Sequence, residues 1–162
     1  MVQRGTSQLN AVIREIRDSI INQHSSELSA TTLSLALRSL VQTMNGRTAP
    51  KFHLHLDDKL LTGLSAAQGS HVSYIVREAL SNSLRHAEAT AVTVSVKRAN
   101  EGICLTIEDD GQGFDLEKVG SSCMGLRNIQ ARAEKLGTTV AIQSTKGRGT
   151  SILLYLAMGV NH

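Results

Sequence analysis

The sequence contains few aromatic residues and few cysteines. Its 162 residues include two phenylalanines, two tyrosines and no tryptophan, namely Phe52, Phe114, Tyr74 and Tyr155. So small a set predicts an aliphatic core and provides almost no stacking platform for single-stranded nucleic acid. The two cysteines, Cys104 and Cys123, are too few for a disulfide framework or a zinc site, so we expect a reducing compartment.

Long apolar runs and a strong charge of one sign are also lacking. The longest apolar stretch, near "SILLYLAMGV", has about half of the roughly 20 residues that span a bilayer, and no signal peptide opens the chain. The net charge is +3, but the basic residues are scattered rather than clustered, so no nucleic-acid partner is predicted. The length fits one domain of ordinary size.

Hydrophobic periodicity predicts the order of helices and strands. We expect a helix over residues 7–21, a helix over 32–44, a strand at "KFHLHLD", a helix over 70–87, strands at "AVTVSVKR" and "GICLTIED", a helix from Leu126 to a stop at Gly137, and strands at "TTVAIQS" and "TSILLYLAM". Because hairpins outnumber crossovers, the prediction is an α+β two-layer sandwich: a mixed, mostly antiparallel sheet with helices on one face. His53 and His55 alternate onto the polar side of the first strand without an evident third ligand, which argues against a metal site.

The stretch "REALSNSLRHA", residues 77–87, places four polar side chains on one stripe of a helix. Glu78, Asn82, Arg85 and His86 are related by steps of three and four residues. A core-facing stripe is predicted for the apolar positions Val72, Ile75, Val76, Ala79, Leu80, Leu84 and Ala87. The polar stripe suits a metal ion with phosphates, or it is an ordinary solvated face.

Two glycine-rich segments adjoin predicted strands. "DDGQGF" follows the strand that ends at Asp109, and "GRGTS" leads into the last strand. A strand-end aspartate accepts hydrogen bonds from an exocyclic amine, and nearby glycines let the backbone approach a flat ligand without a Cβ clash. An ordinary turn explains "DDGQG" equally well.

Taken together, four segments resemble a known family in order and spacing. They are "REALSNSLRHA", "IEDDGQGFD", "MGLRNIQARAEKLG" and "GRGTSILLYL". They resemble the N-box, the two glycine-rich boxes and the terminal glycine-threonine of sensor histidine kinases, in particular the nitrate-sensor-like subfamily of the gyrase, chaperone, histidine kinase and mismatch-repair ATPase superfamily. The resemblance covers about residues 29–157 and implies a Bergerat-type ATP-binding fold. Residues 1–28 then contain the end of the second dimerisation helix and a linker, and residues 29–162 form the catalytic domain.

The resemblance implies roles for the polar stripe in binding the phosphates of ATP. Asn82 matches the asparagine that ligates Mg²⁺. Glu78 matches the acidic residue that accepts a proton from the attacking group or orders the metal's water shell. Arg85 matches a basic residue that meets phosphates, and His86 is a second ATP-binding candidate with a structural or capping role as the alternative.

Other matching positions would hold the base and close the pocket. Asp109 matches the aspartate that reads the adenine amino group, Gly111 and Gly113 shape that wall, and Asp110 is expected to be a turn residue. Further ATP contacts are implied for Gly125 and Leu126 in the second glycine box, and for Gly149 and Thr150 before the last strand. The loop over residues 114–124 would be the lid over ATP.

The sequence departs from the family pattern at two points. Cys123 stands where the second box normally has its first glycine, and a side chain there would restrict the lid or weaken the contact with phosphate. None of the six histidines, His24, His53, His55, His71, His86 and His162, lies in the phosphoacceptor motif. The family pattern thus implies the cytoplasmic catalytic part of a sensor that phosphorylates a histidine on a dimerisation segment elsewhere and serves a response regulator. The full-length sensor is expected to be a homodimer, and a membrane-bound sensor fits the pattern as well. A nucleotide-responsive regulatory module without kinase activity is the alternative, and a serine-directed kinase of the anti-sigma type is a third.

Overall fold

A computed structural model describes residues 30–45, 50–86, 88–119 and 124–158 of the protein. The predicted helix over residues 7–21 and the positions of His24, Ala87, Cys123 and His162 lie outside these ranges. The predictions made for them stay predictions.

The described residues form five helices and five strands. In chain order they are α1 (Ala30–Met44), β1 (Lys51–His55), α2 (Asp58–Leu61), α3 (Ala66–His86), β2 (Ala91–Ala99), β3 (Gly102–Asp109), α4 (Leu116–Val119), α5 (Met124–Lys135), β4 (Val140–Ser144) and β5 (Thr150–Ala157). Every element predicted within the described ranges is present, while the single turns α2 and α4 are too short to give a periodic signal. None of these helices has the length and apolar character needed to cross a membrane.

The five strands form one mixed sheet in the order β1-β2-β3-β5-β4. β1 pairs with β2 in parallel, and the connection between them contains α2 and α3. The pairs β2–β3, β3–β5 and β4–β5 are antiparallel, two of them as the predicted hairpins. The α+β class and the mixed, mostly antiparallel sheet are confirmed.

Alternate residues of the central strands are buried in a single core. These residues of β2, β3 and β5 are Val92, Val94, Val96, Ile103, Leu105, Ile107, Ile152, Leu154 and Leu156. They cluster with buried aliphatic residues of α1, α3 and α5. In the described part of the chain no aromatic side chain belongs to this buried set, which confirms the aliphatic core. The two-residue period places Asp109 and Thr150 on the same, helix-facing side of the sheet.

Helix α3 differs from its prediction at its start and in the core-facing stripe of its last turn. It begins at Ala66 because Ser65 and Gln68 form a capping box, in which the Gln68 N–H donates to Ser65 Oγ at 3.1 Å and the Ser65 N–H donates to Gln68 Oε1 at 2.9 Å. The predicted core stripe is buried from Val72 to Leu80, but it is wrong at Leu84, which is 39% exposed. On this last turn the buried position belongs instead to Ser83, four residues after Ala79.

Candidate functional site

The polar stripe of α3 meets the start of α5. Glu78 and Asn82 are half-buried and lie one helical turn apart. Gly125, the second residue of α5, packs against both, and a Cβ built there would lie 2.9 Å from Glu78 Oε1, Asn82 Oδ1 and Asn82 Nδ2. The structure thus brings three of the predicted site residues together, and a larger side chain at position 125 would displace the other two.

The oxygen atoms of this pair have the chemistry that Mg²⁺ requires. Carboxylate and neutral amide oxygens are hard donors, and protein-bound Mg²⁺ usually takes one or two of them and keeps water or phosphate oxygens elsewhere. The main-chain N–H groups of the first turn of α5 begin at the same place, and a helix N-terminus favours phosphate. Glu78, Asn82 and Gly125 therefore fit the phosphate end of a magnesium nucleotide.

Asp109 is tied to α3 beside this pair. The Ser83 hydroxyl donates to Asp109 Oδ2 at 3.1 Å, and the Gly111 N–H donates to Asp109 Oδ1 at 3.0 Å. Asn82 and Ser83 are consecutive residues, so the strand-end acid and the candidate metal ligand are held by one turn of α3. Sequence analysis missed Ser83, although a hydroxyl on the apolar stripe four residues after Ala79 was a visible signal.

Gly113 and Gly149 lie where two backbone segments pack closely against each other. Their φ angles are +62° and +82°, which L side chains rarely adopt. A Cβ at Gly113 would lie 2.1 Å from the carbonyl oxygen of Thr145, and one at Gly149 would lie 2.1 Å from that of Asp109. The space that these two glycines leave is filled by the β4–β5 turn and the end of β3, and the approach of this backbone to a flat ligand stays a prediction.

Thr150 lies directly opposite Asp109 on the neighbouring strand. Its hydroxyl is 2.9 Å from Ser144 Oγ, which also accepts the N–H of Phe114 at 2.9 Å and donates to the carbonyl oxygen of Gly149 at 3.2 Å. Ser144 therefore links the first residue after "DDGQG" to the start of β5. Thr150 therefore lies beside Asp109, and the ATP contact implied for it stays a prediction.

Asp110 anchors the start of β2. Its carboxylate accepts hydrogen bonds from the Thr90 N–H at 2.8 Å, from the Ala91 N–H at 3.0 Å, and from the Thr90 hydroxyl. The hydroxyl of Thr90 and the N–H of Ala91 favour the charged form and lower the pKa of Asp110. The side chain is used structurally, in agreement with its interpretation as a turn residue.

The remaining predicted site residues take less part in the contacts described above. Arg85 is exposed on the last turn of α3, and the side chain of His86 lies outside the described residues. The Leu126 side chain is buried in the core, so its main-chain N–H is the part left for the predicted ATP contact. Within the predicted lid, α4 forms a helical turn capped by the Asp115 carboxylate, which accepts the Glu117 N–H at 3.0 Å.

A second set of contacts joins α3 to α5 away from Gly125. The Arg132 guanidinium lies 3.9 Å from the centre of the Tyr74 ring, and its Nη1 is 3.4 Å from His71 Nδ1. Because a guanidinium only donates, this contact is a hydrogen bond when His71 Nδ1 is the acceptor, as in a neutral imidazole. Burial, followed by the positive charges of Arg132 and Lys135, lowers the pKa of His71.

A groove among the described residues opens toward the other side of the sheet, at the strand ends that carry Asp109 and Thr150. It has a volume of about 480 Å³ and includes Thr93, Glu108 and Ser151, which are in register across β2, β3 and β5. These positions alternate with the buried ones, so the groove does not lie between α3 and the sheet. Residues 120–123 of the predicted lid are outside the described ranges, so the lid over ATP stays a prediction.

These features define a class of protein. A mixed sheet with helices on one face, an acid at the end of a central strand, and an asparagine and a glutamate on the adjoining helix are the features of a Bergerat-type ATPase domain. Residues 67–159 match the family model of histidine kinase-, DNA gyrase B- and HSP90-like ATPases, and the chain belongs to this family.

Named relatives and a solved structure are similar to the chain. It is 37% identical over 91 residues to the sensor histidine kinase LiaS of Bacillus subtilis, covering 56% of this chain and 25% of LiaS. It is 33% identical over 146 residues to the nitrate/nitrite sensor protein NarQ of Escherichia coli, covering 89% of this chain and 25% of NarQ. The ATP-binding domain of PrrB from Mycobacterium tuberculosis has the same fold, with a TM-score of 0.61 at 19% identity over 82% of this chain and 96% of that domain. The chain therefore spans about a quarter of the length of LiaS and NarQ.

Proposed function

We propose that this chain is the catalytic and ATP-binding part of a two-component sensor histidine kinase. The observation that carries the proposal is the junction of α3 with β3 and α5: Glu78 and Asn82 meet Gly125, and the adjacent Ser83 holds Asp109. One helical turn thus serves a cation-binding end and a base-reading end. Residues 29–162 are assigned to this domain, and residues 1–28 to the end of a dimerisation helix and a linker.

At the phosphate end, Asn82 would hold Mg²⁺ through its amide oxygen, and the ion would supply charge neutralisation to the phosphates. Glu78, one turn away, is the candidate to accept a proton from the attacking group or to order bound water. Arg85, His86 and the N–H groups of Gly125 and Leu126 are assigned to phosphate contacts. Catalysis would consist mainly of positioning and charge stabilisation.

At the base end, Asp109 accepts the hydrogen bond of the adenine amino group, and Thr150 supports this contact from the neighbouring strand. The register that pairs Asp109 with Thr150 supports this assignment. Gly111, Gly113 and Gly149 belong to the same wall because they allow its two backbone segments to pack.

The phosphoacceptor is assigned to another segment or chain. His53 and His55 are exposed on β1, His71 contacts Arg132, and none of them is in a phosphoacceptor motif. The partners proposed are therefore a dimerisation segment that carries the acceptor histidine and a response regulator downstream. We assign the domain to the cytoplasm, where ATP is available, and the full-length protein to a homodimer.

Calorimetric titration with a non-hydrolysable ATP analogue, with and without Mg²⁺, tests this proposal. Asp109→Ala should weaken binding by about tenfold or more, because a hydrogen bond to a charged group is lost. Asn82→Ala should mainly remove the dependence on Mg²⁺. Glu108→Ala is the matched control, since this neighbouring acid is exposed on the opposite face of the sheet and should bind like the native chain.

Transfer of the γ-phosphoryl group to a separately supplied dimerisation segment then tests the kinase assignment. Labelling of its histidine by the native chain, but not by Glu78→Gln, is the expected result. Binding of the analogue without any labelled acceptor would support the regulatory module instead. Equal binding by the native chain, Asp109→Ala and Asn82→Ala would place the nucleotide elsewhere.

A further inference from the structure

Ser83 is one of two buried polar residues in the described part of the chain, and it is 5% exposed. Its hydroxyl oxygen lies 3.1 Å from Asp109 Oδ2 and 3.2 Å from the carbonyl oxygen of Ala79. A hydroxyl has one proton to donate, and the carbonyl already belongs to the ladder of α3. The charged carboxylate is the stronger acceptor, so the proton is directed toward Asp109.

The carboxylate of Asp109 is held from two directions. Oδ2 takes the Ser83 hydroxyl from α3, and Oδ1 takes the Gly111 N–H from the segment after β3. The final torsion of an aspartate side chain is broad, so a single donor leaves the carboxylate plane free to turn. Two donors from different elements fix this plane, and the remaining lone pairs are then left for a ligand.

We propose that Ser83 is a positioning residue, which orients Asp109 for the exocyclic amine of adenine and so connects base recognition to the helix turn that carries Asn82. This inference rests on the proposed function. Ser83 acts through the carboxylate and does not need to touch the nucleotide. Without its hydroxyl, Asp109 keeps its charge but loses its fixed direction.

A second buried serine in the same protein provides a matched control, which distinguishes a positioning role of Ser83 from a purely structural one. Ser34 of α1 is also buried, at 6% exposure, and its hydroxyl donates to a carboxylate, Asp58 Oδ1, at 2.6 Å. Asp58 is at the start of α2 and has no part in the proposed site. Ser34→Ala therefore removes a similar buried bond without affecting Asp109.

The experiment compares two nucleotides on the full chain by calorimetry. One is the non-hydrolysable ATP analogue, and the other is the corresponding purine riboside analogue, which lacks the 6-amino group. The native chain should prefer the first. Ser83→Ala should weaken binding of the adenine analogue by about tenfold and that of the purine riboside analogue by less than about twofold, because only the first uses the oriented carboxylate. Ser34→Ala should leave both affinities unchanged.

A double-mutant cycle with Asp109→Asn tests whether Ser83 acts through Asp109. In that background Ser83→Ala should have no further effect on the affinity for the adenine analogue. If Ser83→Ala does not fold, Ser83→Cys keeps the size of the side chain with a weaker donor, and it should show an intermediate loss of preference for the amine.

The outcomes separate the inference from the proposal beneath it. A native chain that binds both nucleotides equally would show that Asp109 does not read the amine, and the base-recognition part of the proposed function would fail. A native preference that Ser83→Ala or Ser83→Cys leaves intact would overturn the positioning role alone. An equal loss for both nucleotides would do the same, since it would indicate a structural defect.

Discussion

Replacing Gly149 by alanine tests how closely the β4–β5 turn is packed against the end of β3. The φ angle of Gly149 is +82°, and a Cβ there would lie 2.1 Å from the carbonyl oxygen of Asp109 and 3.2 Å from Asp110 Cα. Both neighbours are backbone atoms, which cannot rotate away as a side chain can. Gly147 in the same turn has a φ of +87° and nothing within 4 Å of its Cβ position. Gly147→Ala therefore provides the conformational strain without the overlap.

The expected losses of unfolding free energy follow from these two geometries. A left-handed conformation costs an alanine about 1–2 kcal/mol, and the reduced entropy of the unfolded chain returns about 0.4–1 kcal/mol. Gly147→Ala should therefore lose about 1 kcal/mol. Overpacking adds about 1–3 kcal/mol, so Gly149→Ala should lose about 2–4 kcal/mol. Urea denaturation at 25 °C with linear extrapolation measures both values.

The same pair of variants also tests the link to the nucleotide site. Gly149→Ala must displace the end of β3, so it should weaken binding of the ATP analogue, whereas Gly147→Ala should bind like the native chain. Equal losses of stability in the two variants would refute the backbone contact as the reason for glycine at position 149. Unchanged nucleotide affinity in Gly149→Ala, together with a large stability loss, would separate this turn from the site.

Three further outcomes are expected. Because the pKa of His71 is lowered from its ordinary value of 6.5, the unfolded chain takes up this proton at a higher pH than the folded chain does. The urea midpoint should therefore fall as the pH drops below about 6.5. His71→Gln, which cannot take up this proton beside Arg132, should reduce that fall. Gly125→Ala should reduce the free energy of Mg²⁺-dependent nucleotide binding by more than it reduces the free energy of unfolding, because the atoms it meets are the mobile ends of the Asn82 and Glu78 side chains. A normal response of nucleotide binding to Mg²⁺ would contradict this. Ser65→Ala removes half of a capping box and should cost about 1 kcal/mol in urea denaturation without changing nucleotide affinity.

Local patterns in the sequence were sufficient to predict that the strands form a mixed sheet and which face of each strand is buried. Alternation placed Asp109 and its neighbour Glu108 on opposite sides of β3, and the three-to-four-residue period placed Val72 to Leu80 in the core. These predictions succeeded because the period of side chains along a strand or helix is a property of the local backbone. The start of α3 was also readable, since Ser65 and Gln68 have capping-box spacing, but hydrophobic periodicity alone does not register a polar cap.

Contacts between distant segments were beyond this kind of reasoning. The sequence marks Gly149 and Gly125 as positions without a side chain, but it does not say which atoms fill the space that each of them leaves. In one case the neighbour is a backbone carbonyl, and in the other it is a pair of polar side chains. That distinction depends on the pairing of β3 with β5 and on the packing of α5 against α3. The stacking of Arg132 on Tyr74 has the same origin.

Ser83 shows why adjacent residues of one helix can serve two ends of a site. Consecutive positions differ by about 100° around the helix axis, so Asn82 lies on the polar stripe and Ser83 on the buried one. The inward hydroxyl reaches Asp109 on β3, while the amide of Asn82 lies against Gly125 of α5. A movement of this turn would therefore alter both the orientation of the base-reading acid and the position of the candidate metal ligand. Because Ser83→Ala removes the hydroxyl without moving Asn82, it should weaken the amine contact and leave unchanged the gain in nucleotide affinity that Mg²⁺ provides.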